Sequence, residues 1–215
     1  SGGISAAVTA AGFGKKVLLI DKKKPGGECT WTGCVPSKAL IHEAKRVHTV
    51  RNAVKYYSYD SKTAMDHIHA VRNDIYSRET PEVLSESGIE YLRGEAGFKD
   101  SRTIVVGGRE IKGNNYIISS GSSPLIPPIE GLDSVPYLTN ESIFEQERLP
   151  KSLIILGGGS IGIELAQALS RLGTEVQVVE MMPVLMFREE KDLSVAVQNR
   201  LTEEGVTLHL GAKAN

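Results

Sequence analysis

The 215-residue sequence is 40% hydrophobic and 24% charged, with a formal net charge of −1 at pH 7. Near-neutral charge gives no electrostatic case for nucleic-acid or membrane-surface binding, and no apolar run approaches the roughly 20 residues needed to span a bilayer. No signal peptide precedes the first glycines, so the expected compartment is cytoplasmic, with organelle import left open because the start is not a natural one.

The chain opens on Ser1-Gly2-Gly3-Ile4 and runs through a small-residue helix to Ala11. Gly12 and Gly14 follow, then the buried-strand run Lys16-Val17-Leu18-Leu19-Ile20, ending at Asp21. Helix, turn, strand and terminal acid are the later parts of a nucleotide-binding βαβ unit, in which an acid about 20 residues after the glycines accepts a hydrogen bond from the ribose. Gly3 takes the place of the third glycine of a G-x-G-x-x-G fingerprint, the one that lets helix and strand pack closely. The opening strand and first two glycines of that unit are expected to be missing; a loose glycine-rich terminus is the alternative. Lys22, Lys23 and Lys24 then read as a solvated loop.

The next stretch is Gly26-Gly27-Glu28-Cys29-Thr30-Trp31-Thr32-Gly33-Cys34-Val35-Pro36-Ser37-Lys38, which holds both cysteines of the chain. Cysteines this close bond only if the backbone between them departs from ideal helix geometry, because bonded Cα atoms must usually lie within roughly 4.4–6.8 Å. Gly33 offers that freedom. Pro36 suits the first turn of a following helix, and a helix N-terminus beside a lysine is an electropositive setting that lowers a thiol pKa. The expectation is therefore a reactive thiolate. A zinc site lacks partners, since there is no second cysteine pair and His42, His48, His67 and His69 complete no usual ligand pattern. By spacing alone, two unrelated buried cysteines would be the default; the glycines and Pro-Ser-Lys tip the reading to a redox pair.

With those residues in place, the segment resembles the active-site signature of the flavin-dependent class I pyridine nucleotide-disulfide oxidoreductases, the family of dihydrolipoamide dehydrogenase, mercuric reductase and glutathione reductase. The resemblance implies that Cys29 exchanges with a disulfide or dithiol substrate while Cys34 lies against FAD. It also implies that Lys38 sits near the flavin and pairs with Glu164, that Asp21 binds the flavin ribose, and that Gly27 belongs to the flavin side.

Beyond Lys38, Ala39, Leu40, Ile41, Ala44, Val47, Val50 and Val54 recur at helical spacing, which predicts one long amphipathic helix. A second helix is predicted over residues 63–77, with Met65, Ile68, Val71 and Ile75 on its buried face. Pro81 opens a third, closed by Gly88, and residues 89–94 alternate as a strand. Short strands with tight turns follow over 95–98, 103–106, 110–112 and 116–118, an antiparallel meander inserted in an α/β domain. Ser119-Ser120-Gly121 then resembles a second signature of the same family, which places Ser120 and Gly121 near the cofactor. A strand ending in a glycine turn before a proline-rich connection explains the same residues. Farther on, Thr139-Asn140-Glu141-Ser142 is expected to cap a short helix.

A domain boundary is expected near Leu149, giving a FAD-binding domain over 1–149 and an NAD-binding domain over 150–215. Residues 151–162 read as strand, glycine turn and helix start, a complete G-x-G-x-x-G. Gly157 permits the tight turn, Gly159 lets backbone approach the pyrophosphate, and Gly162 lets helix pack on strand. A helix over 163–172 closed by Gly173 and a strand over 175–179 deliver Glu180. The interval from Gly162 to Glu180 equals that from Gly3 to Asp21, so two nucleotide-binding units of one design occupy the chain. An acid at Glu180 accepts the 2′-hydroxyl of NAD and repels the 2′-phosphate of NADP, so NAD is the expected partner of this unit. A helix over 192–204 and a strand over 206–210 close the sequence; His209, on that strand, carries no motif.

The fold class is thus α/β, with two Rossmann-like units and an antiparallel meander, both domains incomplete. The resemblance implies electron transfer between NAD(H), FAD, the Cys29–Cys34 disulfide and a lipoamide-like dithiol or disulfide, small or protein-bound. No metal site is expected. It also implies a homodimer, formed through a C-terminal domain expected to be absent from this chain. Ser37 before Lys38, with NAD preference, leans toward dihydrolipoamide dehydrogenase; mercuric reductase-like and glutathione reductase-like enzymes are the alternatives. An inactive dinucleotide-binding fragment is the alternative from another class.

Overall fold

A computed structural model describes residues 1–54 and 57–214, so Asn215, the last residue of the expected NAD-binding domain, lies outside the described residues. The chain forms two compact units, Ser1–Val35 with Val71–Ser123 and Pro36–Ala70 with Pro124–Asn215. The expected division at Leu149 separates nucleotide-binding units, whereas these two units are groups of residues that pack together.

In the first unit, helix α1 (Gly2–Gly12) leads into strand β1 (Val17–Asp21). The short helix α2 (Gly27–Trp31) follows. Helix α5 (Pro81–Glu86) is capped as its sequence dictates: Val83 N–H donates to the Thr80 hydroxyl at 3.4 Å, and Pro81 takes the first turn where its missing N–H costs nothing. Strand β2 (Ile89–Arg93) pairs in parallel with β1, Val17 opposite Ile89 and Asp21 opposite Arg93. Ala7, Leu84 and Ile89 form the buried centre against which Ile4, Val17, Leu19 and Tyr91 pack.

Strands β3 (Ala96–Asp100), β4 (Thr103–Val106) and β5 (Arg109–Lys112) make the expected antiparallel meander. The β4–β5 connection is a two-residue turn in which Gly107 and Gly108 both have positive φ, the backbone that matches strand twist in a tight hairpin. The fourth expected strand, 116–118, does not form. A strand needs a ladder partner, and Ile117 and Ile118 are about 70% exposed, their stretch being tied down instead by the Tyr116 hydroxyl, which accepts from Gly113 N–H and donates to the Arg102 carbonyl.

The second unit carries the long helix α3 (Cys34–Ala53) over most of its length and the first part of α4 (Ser61–Tyr76). On α3, Leu40, Ala44 and Val47 are buried, as are Ala64, Met65 and Ile68 on α4. In the proline-rich connection, Thr139 and Ser142 exchange side chain–backbone hydrogen bonds that cap the 3-10 turn Ser142–Glu145. Then β6 (Ser152–Leu156), α6 (Ser160–Leu172), β7 (Glu175–Glu180), α7 (Lys191–Glu203) and β8 (Thr207–Leu210) form a parallel sheet in the order β6-β7-β8. Gly173 ends α6 with φ of +104°, which only glycine adopts cheaply. Among the described residues, no helix is long and apolar enough to cross a membrane.

Candidate functional site

The two cysteines sit at the junction of α2 and α3. Helix α2 is a single turn closed by Thr32 N–H donating to Glu28 O at 2.9 Å, and Cys34 is the first residue of α3. Gly33 joins the two, but not through left-handed backbone. A Cβ there would lie 3.0 Å from Glu28 O and 3.3 Å from the Cys29 Cα, so glycine serves close approach of the two helix ends. Cys29 and Cys34 are thiols in hydrogen-bonding contact, and the Cys34 backbone N–H also reaches the Cys29 sulfur.

The expected lowering of the thiol pKa is not what Cys29 experiences. Burial pushes its pKa up, the shared Cys34 thiol pushes it further, and the Cys34 N–H offsets only part of this. Desolvation and the second ionisable sulfur dominate because both act directly on the Cys29 sulfur. Loss of the Cys29 proton is thereby disfavoured.

One helical turn beyond Cys34, the Lys38 ammonium meets the Glu164 carboxylate, 3.1 Å from each oxygen. Both side chains are substantially exposed, so the pair contributes little to stability on its own. It does fix where the ammonium points.

At the second fingerprint, Gly157 has φ of +109° and its N–H donates to Val179 O, turning the chain from β6 toward α6. A Cβ on Gly162 would lie 2.2 Å from the Gly157 carbonyl oxygen, so helix and turn are packed to contact. At Gly159, the N-cap of α6, nothing lies within 4 Å of an added Cβ. That opening before the N-terminus of a 13-residue helix suits an approaching pyrophosphate. Glu180 braces the same turn: one carboxylate oxygen accepts Gly158 N–H and the other Met182 N–H, each at 2.7 Å. A carboxylate with about four acceptor positions retains capacity for a ribose hydroxyl. These residues fit an NAD(H) ribose and diphosphate.

Of the residues expected on the flavin side, Gly3, Asp21, Gly27, Ser120 and Gly121 belong to the first unit and Lys38 to the second. Gly3 lies in the first turn of α1 and faces β1, where a Cβ would meet Leu19 at 3.5 Å, an ordinary contact. Helix and strand are thus neighbours as expected, with more room than the fingerprint reading requires. Asp21 ends β1 and one of its oxygens accepts Lys23 N–H at 2.9 Å. Gly27 (φ +67°) and Gly121 (φ +72°) both have left-handed backbone, and Ser120 and Gly121 are exposed. A glycine-started helix followed by a strand that ends in an acid fits the ribose and diphosphate of FAD.

Gly158, Leu185, Gly26 and Trp31 carry roles that the sequence motifs do not assign. Gly158 has no room for a side chain, since a Cβ would sit 2.4 Å from Leu185 and 3.3 Å from Glu180. Leu185, fully buried, is its counterpart. Gly26, with φ of +112°, lies against Trp31, whose indole N–H donates to Pro25 O at 2.7 Å. Lys24, expected in a solvated loop, lies with its ammonium 3.1 Å from the Trp31 ring centroid. An aromatic residue between two cysteines was the signal available. Of the histidines, His69 bonds the Phe144 carbonyl oxygen and His209 the Gln177 side chain. Among the described residues, no group of three or more His, Cys, Asp or Glu side chains is placed to hold a metal ion.

A family model described as pyridine nucleotide-disulphide oxidoreductase matches residues 1–215. The chain is 33% identical over 220 residues to a mercuric reductase of Bacillus cereus, covering 99% of this chain and 35% of that protein. It is 33% identical over 220 residues to a dihydrolipoyl dehydrogenase of Thermus scotoductus, covering 99% of this chain and 47% of that one. Among solved structures, the HOCl-induced flavoprotein disulfide reductase RclA from Escherichia coli superposes with a TM-score of 0.86 at 29% identity, over 97% of this chain and 46% of that one. The chain therefore spans under half the length of these relatives.

Proposed function

We propose that this chain, which belongs to the pyridine nucleotide-disulphide oxidoreductase family, carries the redox dithiol and the dinucleotide-binding residues of an FAD-dependent, NAD(H)-linked disulfide oxidoreductase. The observation that carries the reading is the meeting of Cys29 and Cys34 at the α2–α3 junction as hydrogen-bonded thiols. FAD, when bound, supplies a two-electron carrier between the nicotinamide and this pair. Oxidation of the pair forms one S–S bond and releases two electrons and two protons. A substrate disulfide takes up those electrons and protons: Cys29, on losing its proton, attacks one substrate sulfur and expels a first substrate thiol, and Cys34 then attacks the Cys29 sulfur, releasing the second substrate thiol and forming the S–S bond. Gly157, Gly159 and Gly162 hold the NAD(H) diphosphate and Glu180 its ribose; Gly3, Gly27, Ser120 and Gly121 line the flavin side and Asp21 holds its ribose. Lys38, oriented by Glu164, supplies positive charge beside the flavin.

For the substrate, Ser37 before Lys38 and the acid at Glu180 favour a dihydrolipoamide-like dithiol, with the protein working in the cytoplasm. Mercuric ion is the second reading, favoured by the mercuric reductases among the relatives.

The test is anaerobic titration of the flavin-containing protein with NADH, following flavin absorbance and alkylating thiols at positions 29 and 34 for mass spectrometry. The expected result is two new thiols, one on each cysteine, per NADH consumed, before the flavin bleaches. Flavin bleaching with no thiol gained at Cys29 and Cys34 would refute the redox role of the pair. Dihydrolipoamide-dependent NAD reduction measured beside mercuric-ion-dependent NADH oxidation separates the two substrates.

A further inference from the structure

Trp31 ends the single turn of helix that begins two residues before Cys29, and neither dinucleotide binding nor thiol exchange accounts for it. Its surroundings are specific. The indole N–H donates to Pro25 O at 2.7 Å, the ring lies 4.8 Å from that of Tyr76, and the Lys24 ammonium sits 3.1 Å from its centroid. Arg72 places its guanidinium 5.3 Å from the same ring and donates to the Trp31 carbonyl oxygen at 3.4 Å. Gly26 makes the approach possible, since a Cβ there would come within 2.8 Å of the indole nitrogen. Beside Trp31, the buried Thr30 hydroxyl donates to Glu79 at 2.7 Å.

A five-residue helix cannot hold itself in water, because nucleating one turn costs more than its few hydrogen bonds return. The geometry of α2 is therefore imposed by these contacts, and Cys29 takes its position from α2. The stability of a disulfide between nearby cysteines depends on how far their thiols are already confined near each other, since each immobilised backbone residue removes conformational entropy that bond formation would otherwise cost.

We propose that Trp31 is a positioning residue for the dithiol–disulfide couple: by clamping α2 it holds Cys29 within reach of Cys34 and so favours the disulfide. This rests on the reading of Cys29 and Cys34 as the redox pair. With oxidised glutathione as acceptor, the pair forms its S–S bond, loses two electrons and two protons, and the glutathione disulfide breaks into two thiols.

The experiment equilibrates the flavin-containing protein anaerobically in glutathione redox buffers, then quenches, alkylates and measures the fraction of Cys29–Cys34 disulfide by mass spectrometry. Trp31→Ala should lower the equilibrium constant for disulfide formation at least tenfold, a shift of about 30 mV toward easier reduction. Trp31→Phe keeps a ring against Tyr76 and Lys24 but loses the bond to Pro25, and should shift the constant less, in the same direction. Flavin content and thermal unfolding show whether each variant is folded; if Trp31→Ala is not, Trp31→Phe decides, with at least a twofold shift expected. An unchanged constant in the deciding folded variant, or a shift favouring the disulfide, would overturn the proposal. If the unmodified protein forms no Cys29–Cys34 disulfide in any buffer, the redox reading itself falls, and this inference with it.

Discussion

Gly162→Ala tests the nucleotide reading at a position where the structure leaves no room for a side chain. The new methyl would lie 2.2 Å from the Gly157 carbonyl oxygen, whereas ordinary contact begins near 3.4 Å, so turn and helix must separate by roughly 1 Å. Neither partner yields easily. Gly157 is pinned to β7 through its N–H bond to Val179 O, and the first turn of α6 is fixed by Ile163 N–H donating to Gly159 O at 3.0 Å. Overpacking of this kind costs about 1–3 kcal/mol. Because the displaced groups include the amides proposed to face the diphosphate, most of that cost should appear in binding. At about 1.4 kcal/mol per tenfold, the Kd for NADH should rise roughly 5- to 150-fold. The assay is calorimetric titration of NADH into the flavin-containing protein, with flavin content as a control on the first unit. An NADH Kd within twofold of the parent, in a variant that retains flavin, would refute the argument that α6 must touch the glycine turn to bind dinucleotide.

Three other substitutions test separate parts of the reading. Glu43 is buried on α3 and accepts from Arg46 and from the Tyr59 hydroxyl, and the Arg46 bond foremost, against the opposing effect of burial, holds its pKa at about 2 instead of the ordinary 4.5. A depressed carboxylate stabilises the fold fully above its unfolded pKa and less as pH falls through the folded one. The pairing is worth ~3 kcal/mol at most at pH 7, discounted to ~2 kcal/mol because Arg46 is half exposed. Glu43→Gln should therefore lower urea stability at pH 7, with the difference narrowing between pH 4.5 and 2; a gap that does not change with pH would rule the linkage out. Glu180→Arg removes the acceptor of both Gly158 N–H and Met182 N–H and reverses the charge at the ribose position, so the KM for NADH should rise at least tenfold. Steady-state kinetics check this, and a parent that already prefers NADPH would overturn the cofactor assignment. Cys34→Ser should abolish NADH-dependent reduction of disulfides while NADH still reduces ferricyanide; undiminished disulfide turnover would exclude the pair from the reaction.

What the sequence made legible and what it hid divide along a physical line. Each nucleotide unit is a local pattern: glycine turn, apolar run and terminal acid are neighbours in the chain, so spacing alone predicted β1 with Asp21 and β6–α6–β7 with Glu180. The helices from Cys34 onward were legible for the same reason, since Leu40, Ala44 and Val47 recur at helical spacing and are indeed buried. Resemblance supplied the one long-range pairing, Lys38 with Glu164, which no periodicity contains.

The failures are cases decided by contacts and burial that exist only once the chain has folded. Residues 116–118 have a strand's composition, but composition cannot supply a ladder, and the hydroxyl of Tyr116 went to Gly113 and Arg102 instead. The helix terminus that argues for a low thiol pKa is visible in the sequence, while the burial and the shared sulfur that raise it at Cys29 exist only once α2 is folded. Trp31 shows the same limit from the other side. Its position between two cysteines was in plain view, but its use depends on Tyr76 and Arg72, more than forty residues onward. A helix of five residues that holds a reactive thiol must be held by something outside itself. On the proposed function, the cysteine spacing marks the redox couple, and the residues packed on the intervening turn would set how readily it is reduced.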